Sequence, residues 1–278
     1  MKITELPDDL SLEKTLPIKV YDYMSSEEIS KQQIQLNKNT FSFLQEGVKQ
    51  VFFDNSSCTI DNSQFLLMKS GQCLMTEKLS KTSGNYRSIL FFFSNNHVRE
   101  FVMKHELDIS NDKVSPSTCS FSYDSFIDKF VESLIDISKL SRQLQNKILR
   151  TKFEEIMLYL MDAQGSNFLH SLITDHSQSQ KFIQTIESNQ LTKLSIRELA
   201  FLSNMSTSTF KREFQKHFYT SPGKWFQEKR LEHAAFLLKY HSKRPSEIFE
   251  EVGYESLSNF TQAFKVKYGV TPKQYQSN

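Results

Sequence analysis

Two stretches of this chain follow the same pattern fifty residues apart: STSTFKREFQKHFYTSP at positions 206–222 and SLSNFTQAFKVKYGVTP at positions 256–272. Aromatic residues four positions apart share one face of an α-helix, and a serine caps a helix start. A pattern repeated at a fixed offset indicates a duplicated unit. The sequence therefore predicts two equivalent helices, 206–218 and 256–268, each with a buried aromatic face. The matching residues are Ser206, Phe210, Phe214, Phe218 and Pro222, and then Ser256, Phe260, Phe264, Tyr268 and Pro272.

A short helix and a tight turn are predicted ahead of each of these helices. In the first copy a helix begins at Ser195 and is broken at Asn204; in the second, a helix begins at Pro245 and is broken at Gly253. This order of elements is the helix-turn-helix motif of DNA-binding proteins.

Residues 222–240 are predicted to form one long helix between the two units. Eighteen or so residues span about 27 Å at 1.5 Å each. A rigid helix of that length can hold two recognition helices in successive major-groove segments, which lie about 34 Å apart on one face of DNA. Its predicted buried positions are Trp225, Phe226, Leu231, Ala234, Ala235, Leu237 and Leu238.

The faces opposite the buried aromatics carry hydroxyl, amide and cationic groups, which bind base edges and phosphates when a helix lies in the major groove. A solvated polar face would explain either helix alone, but two such helices, each after a short helix and a turn, favour DNA recognition. Arg212 and Gln215, and then Asn259 and Gln262, are the first candidates for base or phosphate contacts. The full set of predicted DNA-binding residues is Ser206, Thr207, Ser208, Lys211, Arg212, Gln215, Ser256, Ser258, Asn259, Gln262 and Lys265.

Charge is divided unevenly along the chain. Residues 178–278 hold 15 Lys/Arg and 9 Asp/Glu, a balance of +6, and the remainder holds 19 and 23, a balance of −4. A basic segment joined to an acidic one is expected when one end of the chain binds a polyanion.

The first sixteen residues lack an apolar run, and the longest such run in the chain, residues 89–93, is only of strand length. Neither a secretory signal nor a membrane span is predicted, and a cytoplasmic location is expected.

The segment from about Lys181 to Tyr275 resembles the DNA-binding domain of AraC/XylS-type regulators. The residues responsible are Glu198-Leu199-Ala200, the run from Met205 to Phe214, Ser221-Pro222, the run from Arg230 to Leu238, Val252-Gly253-Tyr254 and the closing signature from Phe260 to Tyr275. The resemblance covers about a third of the chain. It implies a seven-helix monomeric unit that inserts both recognition helices into adjacent major-groove segments. Regulators of this family most often activate transcription by contacting RNA polymerase near a promoter, and the resemblance implies the same activity here.

Three positions depart from the family pattern. Phe249 stands where a small Ala is usual, Tyr219 where a Gly commonly ends the first recognition helix, and Tyr254 where Phe is usual. The large Phe249 is expected to alter the packing of the second unit. At Tyr219 the helix end either carries strain or is reached by another route. The relative contribution of the two units to DNA binding stays open.

Short apolar runs from Thr40 to Phe93 predict β-strands. The breaks at Gly47 and at residues 54–57, 61–62, 70–71 and 83–85 are typical of hairpins, and indicate a sandwich or barrel of about six to eight strands. After His97 the period changes to that of helices, and a helical hairpin is predicted within residues 123–164. Its apolar stripes are Phe126, Phe130, Leu134 and Ile137, and then Leu144, Ile148, Phe153, Ile156 and Leu160.

The predicted fold class is therefore a two-domain chain. A mostly-β cupin-like barrel with a helical hairpin covers residues 1–165, a polar linker 166–180, and an all-α double helix-turn-helix domain 181–278. Strands followed by dimerising helices resemble the cupin-like domain that AraC/XylS-type regulators commonly carry. The turn within residues 66–71 resembles one that precedes a cupin strand, and its surroundings resemble the partner-controlled activators of type III secretion genes.

No catalytic site, metal site or cofactor is predicted. Metal-binding cupins cluster His with a carboxylate, whereas only His97 and His105 occur before residue 165, both past the predicted strands. No Ser/His/Asp or Cys/His constellation can be assembled, so the chain is not expected to be an enzyme. Cys58, Cys73 and Cys119 form no CxxC pair and are expected to be reduced core thiols.

The sequence of the first domain is compatible with two classes of effector. It does not identify the residues that would bind either of them. One is a small molecule in an apolar, Phe-rich barrel; the other is a protein that covers the barrel or the helical hairpin. A pocket with convergent polar groups would favour the small molecule, and a filled barrel with an exposed apolar helix face would favour the protein. The hairpin stripe either packs on its own barrel or pairs two chains in a homodimer. The alternative to a regulator is a cupin-like binding protein or enzyme whose helical domain no longer reads DNA.

Overall fold

The computed structural model describes residues 3–12, 16–107, 118–166, 168–169, 172, 178–241 and 243–277. The chain divides into two compact units, Met1–Lys181 and Phe182–Asn278. The predicted linker, residues 166–180, lies largely outside the described residues, and its last three residues are helical. Across the described ranges, no helix has the length and apolar character needed to cross a membrane.

The described strands of the first unit form two five-stranded sheets. Sheet A has the order β1-β3-β8-β5-β6 and sheet B the order β10-β7-β4-β9-β2. The strands are β1 (Thr4–Leu6), β2 (Lys19–Ser25), β3 (Ile29–Leu36), β4 (Asn39–Glu46), β5 (Val48–Phe52), β6 (Ser57–Asp61), β7 (Gln64–Met68), β8 (Gly71–Lys78), β9 (Tyr86–Phe93) and β10 (Thr118–Ser122).

The predicted turns between residues 47 and 85 are present, but only one of them closes a hairpin. Strands β5 and β6 pair with each other, whereas at the other four breaks the chain passes from one sheet to the other. The prediction of successive hairpins was wrong because Gly, Asn, Asp and Ser mark where a chain reverses, not which strand it then pairs with. Strands that alternate between two sheets give the cupin-like double-sheet architecture.

Four strands lie outside the predicted region of residues 40–93. Three of them, β1 to β3, precede it, and β10 follows it. The placement of His97 and His105 beyond all strands was therefore wrong. The strand β3, ISKQQIQL, is largely polar, yet it pairs with β1 on one side and with β8 on the other. Its composition alone does not identify it as a strand within sheet A.

Most phenylalanines of sheet B cover its outer face, and Phe53, which follows β5, is one of the few in the core between the sheets. Phe41 and Phe43 of β4 belong to the core beneath the helices, while Leu44 belongs to the core between the sheets. Successive side chains of a strand point to opposite faces, so Ser42, between Phe41 and Phe43, faces sheet A and accepts a hydrogen bond from Lys49. The expectation of a Phe-rich barrel interior was wrong, because both faces of sheet B are buried and composition alone does not assign a face.

Helices α1 (Asn95–Lys104), α2 (Ser125–Ile135) and α3 (Arg142–Gln164) of the first unit pack on this outer face, with a 3₁₀ turn (Asp136–Lys139) between α2 and α3. The Phe130 ring lies 5.7 Å from Phe43, and the Phe153 ring lies 5.0 Å from Phe93. The predicted helical hairpin is confirmed, and its stripe packs on its own barrel.

The limits of that stripe differ from the prediction. Leu149 and Met157 are buried, whereas Phe126 and Leu144 are exposed and Ile148 is half-buried. Phe126 instead stacks on the Tyr159 ring of α3, with the ring centroids 4.2 Å apart, and Ile148 packs against the edge of the core.

Seven helices occur in the described residues of the second unit, the number that the resemblance implies. They are α4 (Gln178–Ser188), which begins just before the division, α5 (Ile196–Leu202), α6 (Thr207–Phe218), α7 (Pro222–Tyr240), α8 (Pro245–Ile248), α9 (Leu257–Tyr268) and α10 (Pro272–Ser277). Helix α7 has the predicted bounds. Of its predicted buried residues only Trp225 is half-buried.

Candidate nucleic-acid interface

The two recognition helices, α6 and α9, begin with the same cap. The Ser206 Oγ accepts a hydrogen bond of 3.1 Å from the Thr209 N–H, and the Ser256 Oγ accepts one of 3.2 Å from the Asn259 N–H. An oxygen used in this way satisfies a backbone donor that the helix leaves unpaired. Both serines were predicted as DNA-binding residues, and the structure gives them this second role, which fixes where each recognition helix begins.

Matching ring contacts set the orientation of the two helices. Phe214 lies 5.7 Å from Trp225 with the rings inclined at 75°, and Phe264 lies 5.3 Å from Tyr275 at 77°. Trp225 and Tyr275 are themselves fifty residues apart. Helix α10 is therefore the second copy of the first turns of α7, and the duplication extends beyond the segment that the sequence pattern marked.

The short helices that precede the recognition helices also start alike. The Ser195 N–H donates to the Glu198 carboxylate at 2.6 Å, and the Arg244 N–H donates to the Glu247 carboxylate at 2.7 Å. These pairs are forty-nine residues apart, whereas the recognition helices are fifty apart. The turn of the second unit is therefore one residue longer.

Phe249 lies at the place where the second short helix differs from the first. With the offset of forty-nine it matches Ala200, which is fully buried inside the seven-residue α5. Phe249 is only half-buried, and α8 ends one residue before it, after four residues. The large Phe249 therefore changes the second helix-turn-helix unit by shortening its first helix, α8.

Tyr219 ends the first recognition helix in the left-handed conformation, with φ of 55°, and its side chain is 86% exposed. The matching residue of the second unit, Gly269, has φ of 77°. Glycine adopts this conformation without strain, whereas a side chain makes it unfavourable. Of the two routes left open for this helix end, the structure shows the strained one.

The predicted polar faces are on the outside of both helices. At about 100° per residue, four residues of each helix fall within an arc of about 100° that lies away from the buried aromatics. All of these residues are exposed except Thr261, which is half-buried. We call this surface the recognition arc. It comprises Ser208, Lys211, Arg212 and Gln215 on α6, and Ser258, Thr261, Gln262 and Lys265 on α9.

Three residues change place when the recognition arcs are compared with the predicted set. Thr207 is half-buried and lies about 40° outside the arc of α6. Asn259 lies about 60° outside the arc of α9 and lines a surface groove together with residues of α7. Thr261 lies inside the arc and was absent from the predicted set. The fifty-residue offset pairs it with Lys211, so the signal for it was present in the sequence.

The main cation of the arc, Arg212, has an acidic neighbour but remains accessible to solvent. The Arg212 Nε lies 3.7 Å from the Glu213 carboxylate, and the arginine side chain is 75% exposed. Exposed pairs of this kind contribute little to stability and exchange readily for another anion. Lys267, by contrast, is held by the Glu228 carbonyl and the Glu232 carboxylate, each at 3.0 Å.

The space between the two sheets of the first unit holds a polar cluster. The buried Lys49 of β5 faces Glu77 of β8 across sheet A, with the Lys49 Nζ 3.3 Å from the Glu77 Oε1, and donates to Ser42 of sheet B at 3.2 Å. Burial and the negative charge of Glu77 raise the pKa of Tyr23 to about 12, and the same causes raise the pKa of Tyr86. A buried ion pair retains its charge only where polar neighbours surround it.

A cavity of about 120 Å³ adjoins this cluster. Its wall combines the polar residues Tyr23, Lys49 and Glu77 with aliphatic side chains such as Ile34 and Leu90. In the described ranges, no three His, Cys, Asp or Glu side chains form a group that could hold a metal ion. Burial raises the pKa of the Cys58, Cys73 and Cys119 thiols, of which only Cys73 is fully buried.

Two family profiles match the chain. Residues 39–172 match one described as the ExsA N-terminal regulatory domain, and residues 199–278 match one described as a helix-turn-helix domain. The chain therefore combines a regulatory domain with a DNA-binding domain of the AraC type. Both domains are of kinds that occur in AraC-family transcriptional regulators, and the first is of the ExsA class.

Individual relatives agree with this assignment. An uncharacterised HTH-type transcriptional regulator of Haemophilus influenzae is 42% identical over 30% of this chain and 28% of its own length. The virulence regulon transcriptional activator VirF of Yersinia enterocolitica is 27% identical over 60% of this chain and 62% of its own length. The chain thus spans less than two thirds of either relative. A structure of ToxT from Vibrio cholerae covers 94% of this chain and 98% of its own, at 15% identity and a TM-score of 0.42.

Proposed function

We propose that this protein is a sequence-specific DNA-binding regulator that activates transcription, reading two adjacent major-groove segments with α6 and α9. The observation that carries the proposal is the structural duplication. Both units present a capped helix whose aromatic face is buried and whose opposite arc is polar. A single polar helix face is ordinary, but two matched ones joined by a 19-residue helix fit two successive grooves.

Selection of bound DNA from a random pool tests this proposal with the full-length protein at several salt concentrations. Charge-driven binding falls steeply with salt, whereas base readout keeps a sequence preference. We expect a bipartite site whose two elements lie one helical turn apart. Recovery of no preferred sequence, with binding lost at modest salt, would support the alternative of a binding protein or enzyme whose helical domain no longer reads DNA.

Activation requires contact with RNA polymerase, and the similarity to AraC-family regulators supports that partner. Transcription by purified polymerase from a promoter that carries the selected site should rise when the protein is added. An arc variant, Arg212→Ala, is the matched control, since it should lose both DNA binding and activation. A fall in transcription would identify a repressor instead.

The proposal includes a cytoplasmic location, because a transcription regulator acts where the DNA is.

The cavity between the two sheets favours a small molecule as the effector of the first domain. The cavity of about 120 Å³ has a few polar groups in an aliphatic wall, the combination that is typical of small-molecule sites. Phenol has this size and one hydroxyl, and it should raise the Tm of the full-length protein. Ile34→Phe, which fills the cavity, should abolish that rise. A rise that survives in Ile34→Phe, or no rise at all, would favour a protein effector.

A homodimer through residues 123–164 is supported by an exposed face of α3. Leu144 and Leu158 are both 43% exposed, and they lie about 40° apart around the helix. The stripe that packs on the barrel is on another face, so pairing need not disrupt it. Sedimentation equilibrium should show a dimer that Leu158→Glu weakens, and a control charge at the similarly exposed Leu191→Glu should not. An equal effect of the two substitutions would count against this face.

A further inference from the structure

The recognition arcs of α6 and α9 differ in chemistry at matching positions. Helix α6 has Lys211 and Arg212 where α9 has Thr261 and Gln262. Arginine and lysine pair best with the acceptors of guanine, while glutamine pairs with adenine and a methyl group packs on the methyl of thymine. The second helix therefore has the side chains that suit A·T pairs, with Lys265 as the one cation of its arc.

Leu257 adds an apolar group to that helix at the end that reaches deepest into a groove. It is the first residue of α9 and lies about 40° from Thr261, outside the arc but at the N-terminal end of the helix. Its side chain is 40% exposed and does not belong to the apolar core of the second unit. The N-terminal residues of a recognition helix are those that contact base edges. The matching residue of α6, Thr207, also carries a methyl group.

We propose that Leu257 is a specificity-determining residue that packs on the 5-methyl group of a thymine in the element bound by α9. This inference rests on the proposed DNA-binding function. An exposed leucine that lies in a groove gains free energy only from an apolar partner, and in the major groove the thymine methyl is the apolar group of the base pairs. Thr261, four residues further on and about 40° around the helix, lies beside Leu257 and supplies a hydroxyl group to the adjacent base pairs.

Replacement of thymine by uracil tests this contact, because uracil lacks only the methyl group and keeps every hydrogen-bonding atom. Each thymine of the selected site is replaced singly, and the affinity of the full-length protein is measured. Removing one buried methyl from an apolar contact corresponds to about a fourfold loss of affinity. We expect this loss at one or two adjacent thymines in one element of the site.

Leu257→Ala identifies the residue responsible. It should bind the thymine site about as weakly as the wild-type protein binds the uracil site, and it should not distinguish the two. Leu191→Ala is the matched control, since Leu191 is 41% exposed and lies outside the recognition helices. It should keep the wild-type preference for thymine. Both substitutions replace exposed side chains, so the emission of Trp225 should report unchanged folding.

The outcomes separate the two proposals. A wild-type protein that shows no sequence preference overturns the DNA-reading function and this inference together. A selected site whose thymines all tolerate uracil overturns the inference alone. Weaker binding by Leu257→Ala with undiminished sensitivity to uracil also overturns it, because the leucine would then contact the sugar-phosphate backbone.

Discussion

At the scale of single residues, each recognition helix separates two tasks by face. Phe210, Phe214, Phe260 and Phe264 are fully buried and hold the helices in place. The polar residues opposite them contribute little to folding and are free to evolve with a DNA site. A substitution should therefore affect either stability or DNA binding, depending on its face.

Phe214→Ala should lower the free energy of unfolding of the second unit by about 3–5 kcal/mol, because it leaves a cavity between α6 and α7. Trp225 is the single tryptophan of the chain and packs on Phe214, so its fluorescence in denaturant follows this unit. Phe264→Ala should have a similar cost. Arg212→Ala is the control and should leave the unfolding midpoint unchanged. A neutral Phe214→Ala would show that the assignment of the buried face is wrong.

Tyr219→Gly should stabilise the second unit by about 1 kcal/mol, because glycine removes the cost of a left-handed side-chain residue. Tyr219→Ala is the matched control, since it deletes the same exposed ring and keeps a Cβ at the strained position. It should give no gain. Equal stabilities of the two variants, again measured by Trp225 fluorescence, would contradict the presence of strain.

At the scale of elements, the corners between the two sheets decide the topology of the first unit. Gly47 joins β4 of sheet B to β5 of sheet A, with φ of 95°. A Cβ at this position would lie 2.4 Å from the Lys78 carbonyl oxygen and 2.9 Å from the Tyr86 ring. The corner therefore accepts only glycine, for both conformational and steric reasons.

Gly47→Ala should reduce the yield of folded protein or lower the stability of the first unit by several kcal/mol, since the close atom is backbone and cannot move aside. Gly84→Ala is the matched control, because φ there is 69° but nothing lies within 4 Å of the added Cβ. It should cost about 1 kcal/mol. Thermal unfolding followed by circular dichroism compares the two. Equal costs would show that conformation alone matters at Gly47.

At the scale of the whole molecule, the two units differ in charge and in how they respond to alkaline pH. The basic second unit presents its cations to solvent, while the first unit buries phenols beside Glu77. The pKa of Tyr23 is raised to about 12 by burial and by that carboxylate, from the usual 10.0. Because the folded state holds the proton more tightly than the unfolded state, the stabilisation is complete below pH 10 and is lost between pH 10 and 12.

The phenolate absorbance of the protein should therefore show a second step about two pH units above the ordinary tyrosine pKa of 10.0, and Tyr23 should contribute to it. Tyr23→Phe should reduce the second step. Glu77→Gln should move it to lower pH, because the negative neighbour is removed. A single step near pH 10 in the folded protein would contradict a buried tyrosine beside a carboxylate.

The sequence by itself determined the second unit almost completely. Its helix starts, its turns and the face that each helix buries follow from serine caps, glycines and a period of four, all of which are local features. The match of Thr261 with Lys211 and of Tyr275 with Trp225 was also present in the sequence. The shortened helix α8 and the left-handed end at Tyr219 required the folded structure.

Tertiary structure decided the first unit. Six of the ten described strands, β4 to β9, could be predicted from apolar runs and turn residues, but the partner of each strand and the direction of each Phe depend on contacts between distant residues. A sheet buried on both faces has no polar side to mark its orientation, so IleLeuPhePhePhe at residues 89–93 is compatible with either face. The Lys49–Glu77 pair and its cavity arise only when two sheets close over them, and no local pattern records that.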